Sequence, residues 1–223
     1  MRGNRVRYVL AAVMLAAAPS AVAQGNPLDN PQMRQMIQRF WNPVVGSGEA
    51  YRSMGDPGSP EKGVELALIG KEMVQGKQSY WLELAFNSPE LGGVLYAKDL
   101  IVPEEETPRK VIFQLPGEAA MEMPVNPHPG PRKVRDTHMH KVGTETITVP
   151  AGTFACEHWK DDDGDYWTSS KLSPVTMVKS VSKGDTDVLI KVMSGAKSHI
   201  TGAVKPWDPT VFMRHMKRPG GGN

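Results

Sequence analysis

The sequence predicts a mainly β protein of the α+β class, in which one large antiparallel sheet curls into an incomplete barrel around an N-terminal amphipathic helix. Three observations support this prediction. Roughly ten segments alternate apolar and polar residues with a period of two, which is typical of strands. Short turns rich in Gly, Pro and Asp separate these segments. Residues 31–41 instead carry apolar residues at helical spacing.

The helix is predicted to begin after Asn30, which can cap it, with Pro31 at its first position. Pro43 and Gly46 end it. The sequence between Asn30 and Pro43 places apolar residues on one face of the helix and polar residues on the other. The apolar stripe consists of Met33, Met36, Ile37, Phe40 and Trp41.

Six strands are predicted between this helix and the proline-rich loop Pro124–Arg132. Short connections such as Gln75–Lys77 imply that successive strands are antiparallel neighbours in the sheet. The predicted strands are Glu49–Met54, Val64–Val74, Gln78–Phe86, Val94–Val102, Lys110–Leu115 and Ala119–Met123.

The stretch Thr144–Lys171 is predicted to form a three-stranded meander. Pro150–Gly152 makes its first turn, since Pro presets φ and Gly accepts a positive φ. Asp162–Asp165 makes the second, as the primed hairpin turn that Asp-Gly favours. The meander strands and the three that follow are Thr144–Val149, Thr153–Lys160, Tyr166–Ser170, Val175–Val181, Thr186–Met193 and Ala196–Thr201.

Residues 1–23 have the pattern of a cleavable secretory signal. A basic start precedes the short apolar run Val9–Ala18, and Ala21–Ala23 is a small-residue cleavage site. Position 24 is Gln rather than Cys, which argues against lipid attachment there. We therefore expect a periplasmic protein with a sheet domain over residues 24–202 and a flexible basic, Pro/Gly-rich tail over residues 203–223.

Charge and cysteine content limit the classes of partner. Loss of Arg2, Arg5 and Arg7 with the signal would leave 23 basic residues against 24 acidic residues. A nucleic-acid partner is not expected, because it would require a concentrated basic patch. The basic residues of the tail allow only weak contact with an anionic membrane surface. Cys156 is the only cysteine, so no internal disulfide is possible. A monomer is expected.

The predicted sheet has more apolar surface than one short helix can cover, so an apolar cavity is expected inside it. We expect a hydrophobic ligand or an acylated protein as partner, no cofactor and no enzymatic activity. No nucleophile elbow, phosphate-binding loop, dinucleotide fingerprint or zincin motif occurs in the sequence. The candidate ligand-binding residues are Met36, Phe40, Trp41, Tyr80, Leu82, Leu84 and Phe86.

Several other residues permit a functional or a structural interpretation. Methionines such as Met139 and the tryptophans Trp41, Trp81 and Trp159 suit a surface for varied apolar ligands, but they also fill irregular cores. The aspartates of Asp161–Asp165 resemble a calcium loop, yet their spacing lacks the glycine and the acidic residue that an EF-hand requires, which favours a hairpin tip.

Two pairs of side chains offer alternatives that involve chemistry. Cys156 and His158 share a strand face, so they are either a thiolate–imidazole pair or a core cysteine beside a polar residue. His138 and His140 also share a face and could hold zinc with a third ligand such as His128 or His158. A metal-dependent hydrolase is the weaker alternative function, and we expect no metal and no catalytic residue.

The pattern of one N-terminal helix and a long antiparallel meander resembles the lipoprotein-carrier fold of the LolA/LolB type. The likeness covers about residues 31–202. It includes the phrases GKEMVQGKQSYWLEL (70–84), VPAGTFAC (149–156) and GAKSHITG (195–202), which also resemble bacterial exported proteins of that fold. The resemblance implies a non-enzymatic carrier of acyl-chain cargo. An envelope protein-interaction module with a self-filled core is the alternative.

Overall fold

A computed structural model gives the fold of the chain and describes residues 39–54, 62–88, 91–103, 105, 107–125, 138–182 and 185–216. These residues contain twelve β-strands and one complete α-helix, α1 (Pro209–Met216). The strands are β1 (Ser47–Met54), β2 (Lys62–Val74), β3 (Lys77–Ser88), β4 (Gly93–Ile101), β5 (Lys110–Gln114), β6 (Met121–Met123), β7 (His140–Val149), β8 (Gly152–Lys160), β9 (Gly164–Thr168), β10 (Met177–Ser182), β11 (Asp185–Ser194) and β12 (Lys205–Pro206).

All twelve strands belong to one sheet, in the order β12-β6-β5-β4-β3-β2-β1-β11-β10-β9-β8-β7. Every neighbouring pair is antiparallel except β12 and β6, which are parallel. The prediction of a mainly β protein with a large sheet is therefore confirmed, although the sheet is mixed. In the described part of the chain, β12 and β7 form its two edges, so the sheet does not close into a barrel.

Strand β1 joins the two halves of the sheet. Its Tyr51 lies opposite Val64 of β2 on one side and opposite Leu189 of β11 on the other. Apart from β12, which pairs with β6, each half is a meander of strands that follow one another along the chain. The long-range pairing of β1 with β11 therefore makes one continuous sheet out of two local meanders.

The sheet is strongly curled. Trp41 forms a β-bridge with Val175, beside β10, and its ring makes an edge contact with the Tyr80 ring of β3 at 5.8 Å between centroids. Strands β3 and β10 are four steps apart in the sheet, which is about 19 Å in a flat arrangement. A single tryptophan cannot span that distance, so the concave face must bring the two strands together.

The concave face carries the main hydrophobic core. Period-two alternation places the apolar residues of each strand on this one face, which explains why they meet there. The buried residues that β1 to β5 and β11 contribute are Tyr51, Val64, Leu66, Leu82, Leu84, Phe86, Ala97, Phe113 and Leu189.

Residues 195–204, here called the strap, cross the opposite, convex face. The prediction of a strand at Ala196–Thr201 is wrong, because this segment has no strand. Its polar groups bond to a side chain instead: the His199 amide donates to Glu83 Oε1 at 2.8 Å, and the Ser198 hydroxyl donates to Glu83 Oε2 at 2.5 Å. Ile200 completes a second, smaller core with Ile112 and Ala120.

Two hairpin turns are made in different ways. Gln75 and Gly76 both have a positive φ, 51° and 77°, and form the two-residue turn between β2 and β3 that matches the twist of a hairpin. The turn between β8 and β9 falls where it was predicted, but Gly164 does not have a positive φ, so the predicted primed turn is wrong. The Asp161 carboxylate holds this turn, since Oδ1 accepts from the amides of Asp163 and Gly164.

Both ends of the chain extend beyond the described residues. Arg39 and Phe40 are helical, but the rest of the predicted N-terminal helix, with Met36, and the signal segment lie outside the described part. Within the predicted tail, β12 and α1 belong to the fold, and Trp207 and Val211 pack against the main core. No helix among the described residues has the length and apolar character needed to cross a membrane.

Candidate functional site

A cleft of about 480 Å³ opens beside β8 and β9. Here it is simply called the cleft. Its walls combine three large apolar side chains with two charged and three hydroxyl side chains. The lining residues are Arg39, Phe40, Met139, Glu157, Trp159, Thr168, Ser170 and Thr176.

One wall of the cleft is held by the stretch Ser173–Met177, here called the 173–177 segment. The Thr176 amide donates to the Phe40 carbonyl at 2.8 Å, and the Asn42 amide donates to the Pro174 carbonyl at 3.0 Å. These bonds, together with the bridge of Trp41 to Val175, fix residues 40–42 as a short ladder along the segment. The position of Phe40 in the cleft therefore depends on the 173–177 segment.

The apolar wall comes from three separate parts of the chain. Trp159 of β8 lies directly opposite Tyr166 of β9, and the Tyr166 ring contacts Phe40 at 6.1 Å between centroids. Met139 precedes β7 and packs against the same core. Burial raises the pKa of Tyr166 well above its usual value, with neighbouring carboxylates adding to the effect, so its hydroxyl stays protonated.

Charged groups stand at the rim of the cleft. Arg39 Nη1 lies 3.7 Å from Asp161 Oδ2 and donates to the Met139 sulfur at 3.4 Å. On the other side, Glu157 Oε1 accepts from Lys141 at 2.5 Å. A cleft lined by apolar side chains together with one cationic and one anionic group suits an amphiphilic ligand.

The structure separates the predicted ligand-binding residues into three groups. Phe40 lines the cleft, and Leu82, Leu84 and Phe86 lie in the main core, where 3%, 1% and 8% of their surfaces are exposed. Trp41 and Tyr80 contact each other across the concave face. The seventh predicted residue, Met36, lies outside the described part of the chain.

Sequence reasoning did not bring together Arg39, Met139, Glu157 and Trp159. These residues come from the helix end, the lead into β7 and strand β8, and no spacing rule connects them. The one available signal was chemical, because Trp159 and Met139 are residue types that accept varied apolar ligands.

Cys156 and His158 occupy different surroundings despite sharing a strand. Cys156 is 3% exposed, and burial raises the pKa of its thiol, with the Glu145 carboxylate adding to the effect. His158 stacks on Trp167 at 4.6 Å, and its Nε2 lies 2.8 Å from Asp165 Oδ1. A buried neutral thiol is a poor nucleophile, so the pair has the properties of packing and hydrogen bonding rather than of covalent chemistry.

His138 and His140 likewise have local partners. His138 Nδ1 lies 3.2 Å from Asp162 Oδ2, and His140 Nδ1 lies 3.2 Å from the His138 carbonyl. Within the described residues, no group of three potential metal ligands is close enough together to hold an ion.

Two crystal structures of bacterial proteins are similar to this chain. One, from Parabacteroides distasonis, is of a protein provisionally described as a lipoprotein. It is 15% identical, with a TM-score of 0.37, over 69% of this chain and 98% of that one. The other, from Bacteroides fragilis, is of a protein provisionally described as exported and as having a YmcC-like fold. It is 13% identical, with a TM-score of 0.36, over 70% of this chain and 99% of that one.

No family model matches the chain, and no curated protein matches its sequence. The cleft itself, rather than these likenesses, therefore supports the function proposed below.

Proposed function

We propose that this protein is an exported, non-enzymatic binding or carrier protein that holds one acyl chain of a lipid or of an acylated protein in the cleft. The observation that carries the proposal is a cleft of about 480 Å³ in which three large apolar side chains, Phe40, Met139 and Trp159, lie beside charged and hydroxyl side chains. That volume lies within the range of about 300–1,000 Å³ that is typical of small-molecule sites.

The energetics of such binding are adequate. Each buried methylene contributes about 0.8 kcal/mol, so about eight methylenes contribute about 6 kcal/mol. This corresponds to a dissociation constant of tens of micromolar before other contacts and ordering costs are included. One acyl chain is therefore enough for useful but reversible binding, as transport requires.

The polar rim supports an amphiphile rather than a plain hydrocarbon. Arg39 and Glu157 leave the headgroup end of the cleft charged, while Phe40, Met139 and Trp159 receive the chain. A headgroup would remain near water there, so its desolvation would cost little. The resemblance of the sequence to lipoprotein carriers and its predicted export signal agree with this choice of cargo.

A matched pair of methionine variants tests the proposal. Met139→Glu places a carboxylate against the bound acyl chain inside the cleft. Met73→Glu places a carboxylate near the end of β2 that leads into its turn, where Met73 is 63% exposed. We expect Met139→Glu to weaken binding of a fluorescent fatty acid by at least about tenfold, since burying a charge beside the chain is unfavourable. Met73→Glu should bind as the unaltered protein does.

Binding would be measured by fluorescence titration of the full chain, with circular dichroism as the check on folding. Equal affinities for the two variants, or the absence of any uptake by the unaltered protein, contradict the proposal.

An interaction module is the second candidate function, and one observation favours it. In the described part of the chain, β7 pairs only with β8, so its ten residues present a free strand edge. Such an edge can receive an extended peptide as an additional strand. Recovery of the same envelope protein by the unaltered chain and by Met139→Glu, without fatty-acid uptake by either, would favour this function.

A further inference from the structure

We propose that the Glu49 carboxyl is a proton-dependent latch, which when protonated holds the 173–177 segment, and with it the Phe40 wall of the cleft, in place. The role of the latch in ligand binding rests on the proposed function of the cleft. The latch itself is a property of the fold and can be tested without any ligand.

Glu49 is in an unusual place for an acidic residue. It lies on the concave face of β1 with 0% of its surface exposed. Its neighbours across the sheet are Leu66 of β2 and Val192 of β11, which offer no charge. Oε2 has two partners, the Tyr51 hydroxyl at 3.0 Å and the Val175 amide at 3.3 Å, and Oε1 has none among the described residues.

The distances around Tyr51 indicate which atom carries a proton. The Tyr51 hydroxyl oxygen lies 2.7 Å from the Met177 carbonyl and 3.0 Å from Glu49 Oε2. A carbonyl can only accept, and a hydroxyl has one proton, so the Tyr51 proton can serve only one of these two contacts. Both contacts are hydrogen bonds at once only if Glu49 Oε2 donates to the Tyr51 oxygen, which requires a protonated carboxyl.

The electrostatics of the site also favour a protonated Glu49 carboxyl. Burial raises the pKa of Glu49 to about 8, although its hydrogen bonds with Tyr51 and with the Val175 amide lower it in part. The titratable groups that face this site from the described elements are Tyr51 and, beyond it on β11, Asp187. Both are acids, so none of the groups that face an ionised Glu49 from the described elements is a cation.

The latch connects directly to the cleft. Glu49 and Tyr51 of β1 contact the 173–177 segment at the Val175 amide and the Met177 carbonyl. The same segment donates from its Thr176 amide to the Phe40 carbonyl, and both Thr176 and Phe40 line the cleft. Ionisation of Glu49 would leave one proton for the two contacts of the Tyr51 hydroxyl, so the bond either to Glu49 or to the Met177 carbonyl would be lost, and a buried charge would stand against this segment.

The direction of the pH effect follows from linkage. A freely exposed glutamate has a pKa of 4.5, and that of folded Glu49 is about 8. Below pH 4.5 Glu49 is protonated whether the latch is closed or open, so closing the latch requires no uptake of a proton. Between 4.5 and about 8 only the closed state holds the proton, so the opening equilibrium rises about tenfold per pH unit. Above about 8 it levels off.

Amide hydrogen exchange of the full chain tests the latch. The amides of Thr176 and Asn42 report on the bonds between the segment and residues 40–42. We expect their protection factors in the unaltered protein to fall about tenfold per unit from about pH 5 to about pH 8. In Glu49→Gln, which is neutral at every pH, protection should be independent of pH.

The control is Glu65→Gln, at a half-buried glutamate of β2 on the convex face, which should behave as the unaltered protein does. If Glu49→Gln does not fold, carbon-13 titration of the Glu49 carboxyl in the unaltered protein replaces it, with a pKa clearly above 4.5 expected. A normal Glu49 titration, or the same pH dependence of Thr176 protection in Glu49→Gln as in the unaltered protein, overturns the latch.

A second arm separates the latch from the function of the cleft. Fatty-acid affinity should fall with rising pH in the unaltered protein and should not fall in Glu49→Gln. If exchange follows the latch but no ligand binds at any pH, the carrier function fails and the latch stands. If ligand binds with the same pH dependence in both proteins, the latch does not regulate the cleft and the proposal is wrong.

Discussion

Gly164 shows how one position can satisfy a sequence rule for a different physical reason. The Asp-Gly pair predicted a turn through the freedom of glycine to adopt a positive φ, yet Gly164 has no positive φ. It lies opposite Ser182, and a Cβ atom there would overlap the backbone carbonyl of Val181 on β10. Glycine is therefore needed because two backbones approach closely.

At the residue scale, Gly164→Ala should destabilise the protein by about 1–3 kcal/mol, because β9 must move away from β10 to admit a methyl group. Gly143→Ala is the matched control, since a Cβ at Gly143 of edge strand β7 meets no atom within 4 Å. Urea unfolding of both variants measures the difference. Equal midpoints would show that the β9–β10 contact is looser than described.

At the scale of elements, the strap is attached mainly through one buried carboxylate. Glu83 is 2% exposed, and both of its oxygens accept bonds from the strap, including one from His199 Nδ1 at 2.8 Å. His199 also stacks on Tyr96 at 4.9 Å. The pattern of residues 196–201 resembles a strand. The sequence could not reveal that these residues would bond to the Glu83 side chain rather than to the backbone of a neighbouring strand.

Glu83→Ala should release the strap, because the amide and hydroxyl of the strap lose their acceptor while Ile200 keeps only its apolar contacts. We expect a loss of about 2–4 kcal/mol in stability and faster proteolysis after Lys197. The control is Glu65→Ala, on the same face of the neighbouring strand. Equal resistance of Glu83→Ala and Glu65→Ala to trypsin would contradict the anchoring role of Glu83.

At the scale of the whole molecule, buried acids make stability depend on pH. Asp187 of β11 is 1% exposed, accepts from the Ser180 hydroxyl at 2.9 Å and has one oxygen without a partner in the described residues. Burial raises the pKa of Asp187 from 3.8 to about 6, although its hydrogen bonds oppose the shift. The free-energy cost of burying an ionised Asp187 is therefore absent below pH 3.8 and complete above about pH 6.

Surface carboxylates act in the opposite direction. Hydrogen bonds from Arg109 and Lys77 lower the pKa of Glu105 from 4.5 to about 2, so its contribution is complete above pH 4.5 and is lost as the pH falls from there to about 2. Exposed pairs of this kind contribute little. The buried acids Glu49 and Asp187 should therefore dominate, and the protein should be most stable at mildly acidic pH.

Asp187→Asn should raise the free energy of unfolding by about 1–3 kcal/mol at pH ~7.5 and leave it unchanged at pH ~3.5, because only an ionised Asp187 costs energy. Glu65→Gln should have no effect at either pH. Urea denaturation at the two pH values makes the comparison. A gain of the same size at both values would show that the effect comes from packing and not from charge.

The sequence by itself determined the local elements: strands with period-two patterns, the hairpin turns, and the class of a large sheet. These depend on alternation, turn residues and short connections, which are properties of neighbouring residues. Leu82, Leu84 and Phe86 were correctly placed on one face of one strand for that reason.

Only the tertiary structure decided which elements meet. The pairing of β1 with β11, the curl that brings Trp41 to Tyr80, and the burial of Glu49 beneath the 173–177 segment all join residues far apart in the chain. A local pattern carries no information about such contacts, because many distant partners satisfy the same alternation. The cleft and its latch are products of that long-range packing.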